Sequence, residues 1–256
     1  MRAIGAIVTA LLLATAQAGE IPQDQRRSGY SFMAAETKAM QDDDTSNPGM
    51  LWVLDGEALW TKRIGTADKA CADCHGDAAA SMKGVAARYP AFDKALGRPI
   101  DLEQRINLCR TEHQETAPLD YESHDLLALT AFIAHQSRGM PIAPASDPQL
   151  APFLAEGREL FMQRQGQLNL ACTNCHDDNW DKHLAGSAIT QGQPTGYPMY
   201  RLEWQTLGSL SRRLRGCMTG VRAQAFSYGS PELVELELYL RSRAAGMPVE
   251  TPAVRP

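Results

Sequence analysis

The sequence predicts an all-α protein built as a tandem duplication of one domain, and three observations carry that expectation. A five-residue motif occurs twice, as Cys71-Ala72-Asp73-Cys74-His75 and Cys172-Thr173-Asn174-Cys175-His176, at an offset of 101 residues. The surroundings repeat with it. Gly56-Glu57-Ala58-Leu59-Trp60 answers Gly157-Arg158-Glu159-Leu160-Phe161, Gly65 answers Gly166, and Tyr89-Pro90 answers Tyr197-Pro198. Leu102-x-x-Arg105-Ile106-x-x-Cys109 matches Leu210-x-x-Arg213-Leu214-x-x-Cys217 at an offset of 108, so the second copy carries seven extra residues after its motif. Third, the apolar residues that close each copy recur at helical spacing.

The elements follow in order. Arg2, the apolar run at 4–13 and Ala16-Gln17-Ala18 make residues 1–18 a signal peptide, cut after Ala18 and directing the chain to the periplasm. The apolar run is half the ~20 residues that a bilayer span needs, so no membrane anchor is expected. A length of 256 residues, 44% of them hydrophobic, with a net charge of −5, suits a soluble protein of two modest domains, with no nucleic-acid partner. Residues 19–48, with an acidic run at 42–44, form an N-terminal extension without a motif.

The first domain spans 49–143 and the second 144–256, joined across a Pro-containing stretch at 140–152. Opening helices are expected at 55–64 and 154–164. Leu126, Leu127, Leu129, Phe132 and Ile133 give the first closing helix its apolar face, as Leu233, Leu236, Leu238, Tyr239 and Leu240 do in the second. Ser123 with Asp125, and Ser230 with Pro231, mark the starts, and Gly139 and Gly246 the stops.

Six cysteines in an exported chain would ordinarily pair into three disulfides. Four of them stand in C-x-x-C-H motifs, the signature of covalent haem attachment. Two thiols one helical turn apart add to the two vinyl groups of a haem, and the adjacent imidazole becomes the proximal iron ligand. A zinc site or a redox C-x-x-C leaves the histidine unexplained in both copies. The expectation is two covalently bound haem c groups, on Cys71, Cys74 and His75 and on Cys172, Cys175 and His176. With an opening helix, the motif, a long loop and a closing helix, each copy resembles the class I cytochrome c fold.

The second axial ligand is less direct. Met140 and Met247 are duplicated, but both follow the closing helix, inside a Gly-Met-Pro that serves as its stop. Met199, Met218, His113, His124, His135 and His183 have no counterpart in the other copy. Cys109 and Cys217 are shared. Either they form one disulfide, or each thiolate ligates its iron and lowers its potential. Arg105 and Arg213 lie four residues earlier, on the cysteine's helical face. Arg212 and Arg215 add to the charge around Cys217 or form a solvated face, whereas Arg110 near Cys109 is offset by Glu103 and Glu112. Guanidinium groups stabilise a thiolate and grip oxyanions, so Cys217 reads as the reactive cysteine.

On the two C-x-x-C-H motifs and Arg213-Leu214-Arg215-Gly216-Cys217, the chain resembles the SoxA family, dihaem subunits of the periplasmic SoxAX cytochromes of thiosulfate oxidation. The resemblance implies that His176 and Cys217 ligate the active haem, Cys217 as a persulfide with Arg213 beside it, and that His75 and Cys109 ligate the other. It implies an L-cysteine S-thiosulfotransferase activity, joining thiosulfate to a cysteine of a SoxYZ-type carrier protein while electrons leave through a SoxX-type monohaem subunit. A tetrathionate-forming thiosulfate dehydrogenase, a dihaem peroxidase and a substrate-free electron carrier are the alternatives.

Overall fold

The computed structural model describes residues 21–256, and the expected signal peptide lies outside the described residues. After α1 (Ala35–Asp42), the first copy runs α2 (Met50–Thr61), α3 (Cys71–His75), α4 (Ala78–Ser81), β1 (Ala91–Asp93), β2 (Arg98–Ile100), α5 (Leu102–His113) and α6 (His124–His135). The second runs α7 (Ala151–Met162), α8 (Cys172–His176), β3 (His183–Leu184), β4 (Ser187–Ala188), β5 (Met199–Arg201), β6 (Thr206–Gly208), α9 (Leu210–Gly220) and α10 (Pro231–Arg243). β7 (Ala253–Arg255) follows. Helices dominate, and the strands are two or three residues long.

Local chemistry fixes the helix ends. Asp101 and Gln104 cap α5 reciprocally: Asp101 accepts from the Gln104 amide at 2.6 Å and Gln104 from the Asp101 amide at 3.2 Å. Ser209 caps α9 by accepting from the Arg212 amide at 3.1 Å. Ser123 caps α6 as expected, but the Ser230 hydroxyl makes no cap bond on α10. The opening helices start earlier than the repeat suggests. Asn47 accepts from the Gly49 amide ahead of α2, and a 3-10 turn at Pro148–Leu150 leads into α7. Both also stop early, because the chain then makes the bridges Ile64–Lys69 and Gln165–Leu170 that present the motifs.

Each opening helix crosses its closing helix at the repeated glycine. A Cβ on Gly56 would collide with the Ala128 carbonyl, and one on Gly157 with the Glu235 carbonyl. Val53, Trp60, Leu126, Leu129 and Phe132 pack at the first crossing; Phe161, Leu236, Tyr239 and Leu240 pack at the second.

The two copies face each other about a pseudo-two-fold axis. Tyr121 stacks on its own counterpart Tyr228, with centroids 5.7 Å apart, and Pro141 pairs antiparallel with its counterpart Pro248. Other contacts are reciprocal: Tyr200 of β5 packs on Trp52 of α2, as Phe92 of β1 packs on Phe153 of α7. Such contacts make an isologous interface within one chain. The first part of the expected linker is therefore structured: Ile142 is buried with Ala87, Ala244 and Val249, and exchanges two 2.8 Å backbone bonds with Met247 and Gly246.

The N-terminal extension straps the second copy. The Arg27 amide donates to Gln191 at 2.7 Å, Ser28 to Glu250 at 2.6 Å, and Asn47 to the Pro252 carbonyl at 2.9 Å. β7 pairs parallel to β5, completing a β6-β5-β7 sheet that the first copy lacks.

Candidate functional site

Each C-x-x-C-H is a single helical turn, and the third residue beyond its cap ties it down. Asp73 accepts from the Ala70 amide at 2.9 Å, and Asn174 from the Ala171 amide at 3.0 Å. The loops before the motifs turn at Gly65 and Gly166, with φ of 71° and 67°. A side chain there would meet the Gln114 or Val221 carbonyl, which only glycine avoids.

A cavity opens over each motif. The first, of about 430 Å³, is lined by Cys71, Cys74 and His75, by Cys109 on α5, and by apolar Trp60, Met82, Leu102, Ile106, Leu129 and Ile133. The second, of about 340 Å³, is lined by Cys172 and His176, by Cys217 on α9, and by Phe161, Met199, Leu210 and Leu240. Neither Met140 nor Met247 lines either cavity. All six cysteines are unpaired, and Cys109 and Cys217 lie in different cavities, so the disulfide alternative is not realised. Unpaired thiols on one turn, an adjacent imidazole, a thiol across the space and apolar walls fit a covalently held haem.

The copies differ around that shared plan. His176 Nδ1 donates to the Thr190 carbonyl at 2.7 Å, and Gly192 presses its backbone against the ring. A carbonyl only accepts, so Nδ1 carries the proton and Nε2 is the nitrogen turned to Cys217, where a metal would be bound. His75 is exposed and packs tilted on Trp60, centroids 5.7 Å apart. The seven extra residues lie in a stretch that includes the β3–β4 hairpin. Its His183, Gly186, Ser187 and Ala188 wall the second cavity, together with Gly29, Phe32 and Met33 of the extension.

The arginines differ most. Arg105 is engaged, with Asp93 at 2.5 Å and the Tyr89 hydroxyl at 3.3 Å. Arg213 lines the second cavity, and its guanidinium has no hydrogen bond or ion pair among the described residues. β1 and β5 are equivalent strands, so the position of Asp93 is taken in the second copy by Arg201, which also lines the cavity. The grouping of Arg212 and Arg215 with Cys217 is corrected. Arg212 stacks on Trp204 at 4.3 Å and faces Glu122 at 3.8 Å, while Arg215 lies 4.4 Å over Tyr228 and donates to the Phe226 carbonyl. Arg212 thus reaches across to the first copy, while Arg215 packs within the second.

These surroundings set the thiols apart. Burial pushes Cys109 up, the nearby Arg105 failing to offset it. Burial also raises Cys217, but a hydrogen bond with His176 and the charge of Arg213, with His176 and Arg201 adding to it, outweigh burial and hold the thiol below its ordinary value. Cys172 is pushed up to about 12 by burial. Arg201 and the hairpin wall were not found from sequence. The Asp93-to-Arg201 exchange was present there as Ala91-Phe92-Asp93 against Met199-Tyr200-Arg201.

The chain matches the SoxA/TsdA cytochrome c domain family over residues 55–142 and 156–249. It is 43% identical to the L-cysteine S-thiosulfotransferase subunit SoxA of Pseudaminobacter salicylatoxidans, over 91% of this chain and 82% of that protein. With the subunit of the same name from Rhodovulum sulfidophilum it shares 41% identity, over 91% and 81%. The crystal structure of SoxXA from P. pantotrophus superposes with a TM-score of 0.87 at 34% identity, covering 90% of this chain and 87% of that one.

Proposed function

The chain belongs to the SoxA family of c-type cytochromes and carries covalently bound haem c; from that premise, we propose that it is the SoxA-type subunit of a periplasmic L-cysteine S-thiosulfotransferase. In this reading it would hold two haems, one attached to Cys71 and Cys74 with His75 and Cys109 as the side chains that would bind its iron, and one attached to Cys172 and Cys175 with His176 and Cys217 in those roles. The second cavity is the active one. The observation that carries this is the contrast between the arginines: Arg213 is unengaged beside Cys217, whereas Arg105 is held by Asp93 at 2.5 Å.

Arg213 offers forked donors to the sulfonate end of thiosulfate, which points the outer sulfur at Cys217. The Cys217 thiolate and thiosulfate lose two electrons and join as Cys217–S–S–SO3⁻. A carrier thiolate then attacks the sulfur bearing the sulfonate, leaves as carrier–S–S–SO3⁻ and returns Cys217 as thiolate. The net change takes one carrier thiol and one thiosulfate to the S-thiosulfonated cysteine, one proton and two electrons. Haem, when bound, supplies the one-electron acceptor beside Cys217. His176 is held in one tautomer by Thr190, and the hairpin with Phe32 walls the cavity beside the thiolate. The partners are a SoxYZ-type carrier protein and a SoxX-type monohaem subunit that takes the electrons.

The test is carrier-dependent thiosulfate oxidation by the reconstituted complex. Cys217→Ser should abolish turnover, whereas Cys109→Ser should keep a substantial part of it, each variant first being shown to retain both haems. Equal losses would move the active site or discard the reading.

A further inference from the structure

Asp93 and Arg201 occupy the same place in two copies of one strand. Both β1 and β5 are three-residue strands, each paired antiparallel to the next, with Asp93↔Arg98 at the end of one ladder and Arg201↔Thr206 at the end of the other. The helices that follow place Arg105 and Arg213 equivalently, four residues ahead of the two cysteines. In the first copy the strand residue neutralises the helix arginine. In the second it is a like charge, so the arginine has nothing to pair with.

Two guanidiniums beside one cavity repel each other. Arg201 is nearly buried and, desolvated and near Arg213, is held below the ordinary arginine value. The fold nonetheless fixes Arg201 where it stands. Its Nε donates to the Pro256 carbonyl at 2.8 Å, one terminal nitrogen meets the exposed Glu203 at 2.8 Å, and the guanidinium lies 5.1 Å over the Trp204 ring. One terminal nitrogen carries no bond among the described residues. An arrangement that holds two like charges together across a cavity is stable when a multivalent anion occupies it.

We propose that Arg201 is a second anion-binding residue of the Cys217 cavity, which with Arg213 forms a two-guanidinium site for a tetrahedral sulfur oxyanion, and that Asp93 keeps the first cavity from binding one. This rests on the second cavity being the active one. Arg213 and Arg201 approach from a helix and a strand, so they can grip different oxygens of one sulfonate while the outer sulfur stays turned to Cys217.

The experiment measures binding of thiosulfate, and of sulfate as an unreactive probe, to the oxidised holo-complex by calorimetry without carrier. Arg201→Gln should weaken thiosulfate by about tenfold or more, the scale of one charge-assisted bond. Arg201→Lys should recover part of the loss. Arg201→Asp should do worse than Gln, because the new carboxylate pairs with Arg213 as Asp93 does with Arg105. Glu203→Gln, which removes the solvent-side anchor and leaves the charge, should bind as tightly as the parent; a loss there equal to that of Arg201→Gln would assign Arg201 to structure alone and overturn the proposal. Asp93→Asn should create weak sulfate binding at the first cavity, seen as a second site. Parental affinity in Arg201→Gln also overturns it. If that result accompanies inactive Cys217→Ser protein, only this inference fails; if Cys217→Ser is active, the functional reading fails first.

Discussion

Arginine at one helical position does two different jobs in this chain. Arg105 and Arg213 sit four residues before equivalent cysteines, yet one is bound to a carboxylate and one is not. Asp93 is held below the usual carboxylate range by backbone donation from Leu96 and by Arg105. Exchanging Arg105→Lys should therefore leave thiosulfate turnover within about twofold, because the pair is remote from the proposed chemistry and partly screened. Arg213→Lys keeps a charge but loses the planar fork, and should cost roughly tenfold to a hundredfold in rate, or about 1.5–3 kcal/mol. Steady-state rates with carrier, on protein carrying both haems, check both. The motif cysteines and their histidines stand out in the sequence because covalent haem chemistry demands a fixed local spacing, and Cys217 stands out because a cysteine four residues after an arginine recurs in both copies. Arg201 was not singled out, because its meaning comes from the residue its counterpart pairs with, twelve residues further along the chain.

At the scale of elements, the crossings of α2 with α6 and of α7 with α10 depend on Gly56 and Gly157. Each lets a neighbouring backbone carbonyl into the space a side chain would fill. The sequence marked these glycines as members of a repeat, but their reason appears only where the helices cross, since periodicity locates a face and not a contact. Gly157→Ala must push α7 away from the Glu235 carbonyl, and overpacking of this kind costs typically about 1–3 kcal/mol. Urea unfolding followed by circular dichroism should show the midpoint fall with an unchanged slope. Gly216 on α9 is the counter-case. A Cβ there meets nothing within 4 Å, so Gly216→Ala should raise stability by about 0.5–1 kcal/mol through helix propensity. A destabilised Gly216→Ala, or an unaffected Gly157→Ala, would contradict this account of the two positions.

Across the whole molecule, the duplication creates a seam that neither half predicts alone. The offset of the repeats was plain in the sequence, but the pairing of Tyr121 with Tyr228, and of Pro141 with Pro248, requires the copies to turn toward each other. That seam encloses acids. Burial pushes Asp101 up to about 6 and Glu237 up to about 7, and it raises Glu103, with the neighbouring acids adding to the effect. Tyr121 donates to Asp101 at 3.2 Å, Arg98 adds a distant charge, and Glu122 is occupied with Ser209 and Arg212. Among the described residues, the one cation placed against Glu237 and Glu103 is Arg241, itself committed to the Pro194 and Ala86 carbonyls at 3.2 and 2.8 Å. A carboxyl whose folded value lies above its unfolded one binds more protons when folded. Its stabilising contribution is complete below the unfolded value near 4.5 and is lost as pH rises through about 7. The seam should therefore be tightest in mild acid and loosen toward neutrality. Unfolding free energy of the holoprotein should be lower at about pH 8 than at about pH 5, and Glu237→Gln should flatten that difference by about 1–3 kcal/mol. Asp101 is the poorer choice, because its carboxylate also caps α5. Urea titrations of parent and Glu237→Gln at the two pH values decide it: an unchanged pH dependence in the variant would mean that Glu237 ionises freely and that the seam is held by its aromatic and backbone contacts alone.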